Sequence, residues 1–199
     1  MIVIGGGQAR KLKKTDGKGQ RLNGLKQGEI MNQHSRPRQE ASASDQPDQQ
    51  NPALEPFSVL VGNWNTSGTH GLLADAVLHG HTSFEWLENG AFLLMRSHID
   101  DPRVPGTVAV FGSDASGSAE GGAQAKYYML TFDERGVSRK YDVTLHNNIW
   151  KWWRAAPGFS QRYQGIIEEG GNTIITKGEL SKDGSSWEKD LDSTYKRVE

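Results

Sequence analysis

The chain has 199 residues, no cysteine and a formal net charge of −1, with 35% hydrophobic residues and a mean hydropathy of −0.67. The lack of cysteine excludes disulfides, thiolate metal sites and a cysteine nucleophile, and it predicts a reducing, cytoplasmic setting. No apolar run reaches the length of a membrane-spanning helix, so no membrane partner is expected.

The polarity is unevenly spread. Residues 1–50 contain no Trp, Tyr or Phe, whereas all 6 Trp, 5 Tyr and 6 Phe follow Pro52. Without large apolar side chains to bury, the first segment cannot offset its ordering entropy. Residues 1–52 are therefore expected to form a disordered tail, followed by one domain over 53–199. The tail changes character at Met31, from a basic, Gly-rich stretch to one rich in Gln, Ser, Asp and Pro. Gln27-Gly28-Glu29-Ile30 can be encoded by a purine-rich run resembling a bacterial ribosome-binding site, so Met31 is expected to be the native start. The competing reading is a basic interaction arm using Lys11, Lys13 and Lys14. Charge follows the same division, with 9 Lys/Arg against 5 Asp/Glu up to Asn51 and 14 against 19 after it. An acidic domain repels phosphate backbones, which argues against nucleic acid as a partner.

In chain order, Pro56 to Val61 is short and apolar and suits a helical turn that plugs a barrel end. Strand-like segments then alternate with turn chemistry at short spacing. Glu88-Asn89-Gly90 carries the Asn-Gly pair of a type I′ hairpin, Asp133 to Gly136 suits a type I turn with a Gly bulge, and Asn147-Asn148 a two-residue turn. Ala156-Pro157-Gly158, Glu169 to Asn172 and Lys182-Asp183-Gly184 punctuate the rest. The low-complexity stretch from Asp114 to Gly122 predicts a mobile loop. About nine or ten strands with no crossover-length helix predict an all-β fold, a closed up-and-down antiparallel barrel.

Turns set register, and register decides which side chains share a face. An Asn147-Asn148 turn places Leu145 opposite Trp150, Val143 opposite Trp152 and Tyr141 opposite Arg154. The apolar alternation Val137, Tyr141, Val143, Leu145 must point inward, and it carries Arg139 and Arg154 with it, beside Trp150 and Trp152. The next strand adds Gln161 and Tyr163 to that face. Buried guanidinium groups need partners, supplied either by an internal ion-pair network with water or by a bound anion. The Asn89-Gly90 hairpin places His81 opposite His98, His79 opposite Asp100 and Ser83 opposite Arg96, on a face shared with Glu85. That face is either a solvated outer wall or a weak metal site built on His79, His81 and His98. Turned inward, it would add Arg96 and Glu85 to the arginine cluster. In Asp190-Leu191-Asp192 both carboxylates are expected to face water, because Trp187, Leu191 and Tyr195 share the opposite side. A nucleophile elbow, a P-loop, a dinucleotide fingerprint and His-Glu-x-x-His are all absent from the sequence, so no catalytic residue is assigned.

Gly62-Asn63-Trp64 followed by a meander that ends in Tyr195-Lys196-Arg197 resembles the calycin-type barrels: lipocalins, fatty-acid-binding proteins and nitrobindins. Phe84-Glu85-Trp86-Leu87, Asp133 to Val137, Pro157 to Arg162 and Asp190 to Tyr195 together resemble a bacterial lipocalin-like family of unknown function, across about residues 54 to 198. The lipocalin resemblance implies that Arg197 covers Trp64 in a structural role. The nitrobindin resemblance implies haem held by a histidine late in the barrel, from which this chain departs because its last histidine is His146.

The expected function is an intracellular binding barrel for a small hydrophobic or amphipathic anionic molecule, gripped by Arg139 and Arg154 against Trp150, Trp152 and Tyr163. The alternative is a haem- or metal-dependent enzyme of nitrobindin type. The sequence is also compatible with a homodimer. Because residues 1–50 offer nothing to bury, a chain beginning at Asn51 should melt within error of the full chain. A loss of several degrees in a calorimetric scan would instead mean that the tail docks on the domain.

Overall fold

An Asn-Asn pair and an Asn-Gly pair turn two of the hairpins. The computed structural model describes residues 50–73, 76–114 and 126–199, and in it Asn147 and Asn148 adopt φ of 51° and 60°, and Asn89 and Gly90 φ of 54° and 89°. These left-handed conformations match the twist of the flanking strands and are tolerated by Asn and Gly. They set Leu145 opposite Trp150 and Val143 opposite Trp152 in one hairpin, and His81 opposite His98 and Ser83 opposite Arg96 in the other.

A 3₁₀ helix, η1 (Pro52–Leu60), precedes the strands. They are β1 (Gly62–His70), β2 (Leu78–Leu87), β3 (Phe92–Ile99), β4 (Thr107–Asp114), β5 (Lys126–Asp133), β6 (Ser138–His146), β7 (Ile149–Arg154), β8 (Ser160–Ile167), β9 (Thr173–Ser181), β10 (Glu188–Lys189) and β11 (Leu191–Arg197). Each strand pairs antiparallel with its neighbour from β1 to β9, and β11 lies between β9 and β1, which closes the sheet. The short β10 continues into β11 past Asp190, so the described residues form a ten-stranded closed barrel. Residues 1–49 of the tail expected to be disordered, the proposed start at Met31 and the low-complexity stretch after Asp114 lie outside the described residues, whereas Asn51 and Pro52, counted in that tail, cap and open the helix.

One end of the barrel is filled by η1. Leu54, Phe57 and Leu60 recur at helical spacing and are completely buried. Phe57 meets Phe111 at 5.6 Å and the edge of Tyr127 at 5.0 Å between ring centroids. Asn51 caps the helix by accepting from the Ala53 amide at 3.0 Å, and it ties the helix start to the β2–β3 turn through the Gly90 carbonyl.

The seam between first and last strands is locked by one side chain. Trp64 and Arg197 are register partners, and the guanidinium lies 4.1 Å from the centroid of the fully buried indole. Arg197 also donates to the Val61 carbonyl at 2.5 Å, to Val59 at 2.7 Å and to Gly171 at 3.1 Å, while Trp64 Nε1 donates to the Leu60 carbonyl at 2.8 Å. Gly62 makes room for this, since a Cβ there would stand 2.7 Å from Arg197 Nη1 and φ is +126°. Arg197 thus satisfies carbonyls of η1, its exit and the β8–β9 loop at once. Arg197→Ala should cost about 2 kcal/mol in a denaturant titration, because charged hydrogen bonds and a cation–π contact are lost together. Arg197→Lys should recover little, since an ammonium cannot span the same carbonyls. A change of under about 0.5 kcal/mol would mark Arg197 as an ordinary surface residue.

Candidate functional site

The arginines lie at the end opposite η1. Phe57 of η1 touches Tyr127, which pairs with Val143 near the end of β6, whereas Arg139 stands at the start of that strand. At 3.3 Å per residue the two positions are about 13 Å apart along the barrel. Arg139 and Arg154 both follow the inward parity of their strands, and their guanidinium carbons lie 5.5 and 5.9 Å from the centroid of the same Phe159 ring. Arg154 Nη1 donates to the Phe159 carbonyl at 3.0 Å. The Arg139 side chain is 9% exposed, and its Nη1 is buried with no hydrogen-bond partner.

The nearest carboxylate to Arg139 is Asp133, at 3.5 Å, and it is already engaged. Asp133 accepts from the Arg135 guanidinium at 2.5 Å and from the Arg135 and Val137 amides at 3.0 and 3.3 Å. Burial alone would raise its carboxyl pKa, but the bonds from Arg135 and Val137 outweigh that and hold it below the usual range. Arg135 and Arg139 therefore share this one side-chain carboxylate, and Arg154 has no ion pair with it.

A buried polar layer lies just inside. Tyr141 donates to Gln161 Oε1 at 2.5 Å, and Gln161 Nε2 donates to Asp190 Oδ2 at 2.6 Å and to the Tyr163 hydroxyl at 2.9 Å. Tyr163 also donates to Asp190 Oδ2. His70 Nδ1 accepts from the Leu72 amide at 3.0 Å, so the ring proton sits on Nε2 and is shared with Asp190 Oδ1 at 2.9 Å. Burial would raise the Asp190 carboxyl, yet bonds from His70, Tyr163 and Gln161 overcome it and leave its pKa lowered. Burial pushes the Tyr141 and Tyr163 phenols up, Tyr163 also by the adjacent Asp190, so both stay donors.

Asp190 corrects the sequence expectation that it faces water, for it is wholly buried. Lys189 pairs with Glu179 of β9 while Ser193 pairs with Thr176, so the last strand carries one residue more than its partner. This β-bulge reverses the side-chain parity, and Asp190 and Leu191 both turn toward the core. Gly178, opposite the bulge, lets the Tyr163 ring lie across it, since a Cβ there would collide with that ring.

Of the sequence-predicted residues, the structure brings together Arg139, Tyr141, Trp150, Trp152, Arg154, Gln161 and Tyr163. Trp152 stacks on Tyr163 at 4.9 Å with 4° between planes, and Trp150 lies 4.2 Å from Trp152. Arg96 and Glu85 do not belong with them: they form an exposed pair at 3.4 Å on the outer wall. Phe84 and Leu93 of the same hairpin claim the interior, and the alternation sends Arg96 and Glu85 outward. His79, His81 and His98 are exposed on that outer wall as well. The His81 and His98 rings are 5.3 Å apart, but among the described residues no three such side chains converge on a metal position. His70, Asp133, Asp190 and the Phe159 platform were missed. His70 shares the even-numbered parity of Trp64 and Thr66, the only sequence signal for it, while the bulge hid Asp190.

Beneath the layer lies a cavity of about 70 Å³, touched by Thr66, Thr107, Thr131, Trp150, Trp152 and Tyr163. Haem does not fit these residues. His70 has both ring nitrogens engaged, the other described histidines are exposed on the outer face, and the cavity is far below the roughly 300–1,000 Å³ of sites for larger ligands.

No family model matches the chain, and no curated protein matches it. Among solved structures, Rv2717c from M. tuberculosis superposes with a TM-score of 0.50 at 10% identity, covering 76% of this chain and 100% of that one. The S-type phycobiliprotein lyase CPES from Guillardia theta gives 0.47 at 11% identity, covering 73% and 92%. The first likeness is one of fold. The barrel has a calycin-like fold.

Asp190→Ala should destabilise the protein by about 3 kcal/mol or more at neutral pH, because His70, Gln161 and Tyr163 lose their shared acceptor. The folded carboxyl pKa lies below its unfolded value of about 4, so Asp190 contributes fully above that pH and its contribution fades as pH falls through the folded value. The gap between parent and variant in urea titrations should therefore narrow as the pH is lowered below the unfolded value of about 4. An undiminished gap there would show that the charge of Asp190 is not what holds the layer.

Proposed function

We propose that this barrel binds a small amphipathic molecule through the end opposite η1, with its anionic group on Arg139 and Arg154 and its body against Trp150, Trp152 and Tyr163. The observation that carries this reading is the buried Arg139 guanidinium, whose Nη1 has no hydrogen-bond partner. A buried charged donor left without an acceptor costs on the order of 1–3 kcal/mol. An anion bridging Arg139 and Arg154 would recover it, and the excess of guanidinium over carboxylate supports that choice. Phe159 holds both groups over one ring, which limits the ordering an incoming oxyanion has to impose. The limited cavity favours a short molecule, unless Trp152 leaves its stack on Tyr163.

Native mass spectrometry of undenatured protein should reveal a co-purified small acid. In fluorescence titrations read from the tryptophans, Arg154→Ala should weaken a short carboxylic acid by about 2 kcal/mol, roughly thirtyfold. Arg139→Lys, which keeps the charge but loses the planar fork, should also weaken it. Equal binding of the acid and its methyl ester would rule out the anion role.

A further inference from the structure

Four buried side-chain polar atoms among the described residues lack hydrogen-bond partners: Arg139 Nη1, Thr66 Oγ1, Thr107 Oγ1 and Trp150 Nε1. Three of them are not at the arginines. Thr66, Thr107 and Trp150 all line the cavity, and they are 6%, 6% and 1% exposed. The indole N–H is a donor only, and the threonine hydroxyls can donate or accept. An all-carbon guest would bury these groups unanswered. A guest carrying an oxygen acceptor would answer Trp150 and at least one hydroxyl.

The cavity adjoins the arginine end. Thr131, on the cavity wall, pairs with Arg139 across the sheet and donates to its carbonyl at 3.3 Å. Thr107 pairs with Asp133, whose carboxylate is 3.5 Å from Arg139. A short molecule anchored on Arg139 would therefore reach the cavity within a few bonds. From this, and resting on the small-molecule reading above, we infer that the ligand is a bifunctional short-chain acid. Its carboxylate sits on Arg139 and Arg154, and an oxo or hydroxy oxygen further along the chain meets Trp150 Nε1 and the hydroxyls of Thr66 and Thr107. Simple fatty acids are the poorer class, because they offer no inner acceptor and need more room than about 70 Å³.

The test is calorimetric titration of the full chain with two probes of equal chain length, a short oxo-carboxylic acid and the plain carboxylic acid. The oxo-acid should bind at least about tenfold more tightly, the difference expected for one buried donor satisfied or left orphaned. Thr66→Val with Thr107→Val keeps the side-chain shape and removes two unpaired hydroxyls. That double variant should melt no lower than the parent and should bind the two acids more nearly alike. Trp150→Phe, which removes the indole N–H together with its five-membered ring, should erode the preference further. Equal binding of both acids by the parent would overturn this inference and leave the small-molecule reading standing. A preference that survives in both variants would overturn it too, since other groups would then be reading the oxygen. Saturable binding of neither acid would overturn both readings.

Discussion

A carboxylate buried inside a barrel dictates much of what surrounds it. Asp190 cannot be left ionised in an apolar interior without donors on both oxygens, and the chain supplies them from two separate strands: His70 from β1, Gln161 and Tyr163 from β8, converging on the bend between β10 and β11. Each donor then acquires an orientation of its own. Gln161, turned by Asp190, offers its oxygen to Tyr141. Tyr163, turned by the same carboxylate and given room by Gly178, presents a flat ring on which Trp152 stacks, and Trp150 follows. The aromatic wall of the cavity is thus a consequence of a polar requirement.

The two ends of the barrel solve different problems. At the η1 end Arg197 answers the carbonyls of Val59, Val61 and Gly171, and the apolar faces of η1 and Trp64 are covered. At the other end the bookkeeping is incomplete. The polar layer around Asp190 is internally matched, but Arg139 Nη1, with Asp133 no nearer than 3.5 Å, and Trp150 and the two threonines around the cavity lack hydrogen-bond partners. Among the described residues the orphaned side-chain polar atoms thus gather around the arginines and the cavity. The predominance of donors among those orphans is what favours an oxygen-rich guest.

Much of this was legible from local pattern. Asn89-Gly90 and Asn147-Asn148 specify turns whose backbone twist admits one register, and from that register the shared face of Arg139, Tyr141, Trp150, Trp152 and Arg154 follows by alternation. The same logic misread Asp190, because alternation assumes an unbroken strand and a one-residue bulge flips parity without leaving a mark in composition. The hairpin carrying Glu85, Arg96 and the histidines was ambiguous for a related reason, since both of its faces mix polar and apolar residues and only packing against Leu93 and Phe84 selects the inner one.

By itself the sequence determined the elements, their antiparallel order, the closure of the barrel and the identity of most residues on the inner face, since all of these depend on short-range turn geometry and a period of two. Only the tertiary structure decided which inward polar groups find one another. Asp190 meets His70 across 120 residues and Gln161 across 29, and whether a buried donor is answered or orphaned depends on such distant convergence. The site, unlike the fold, is a statement about hydrogen-bond satisfaction in three dimensions, and no local pattern encodes it.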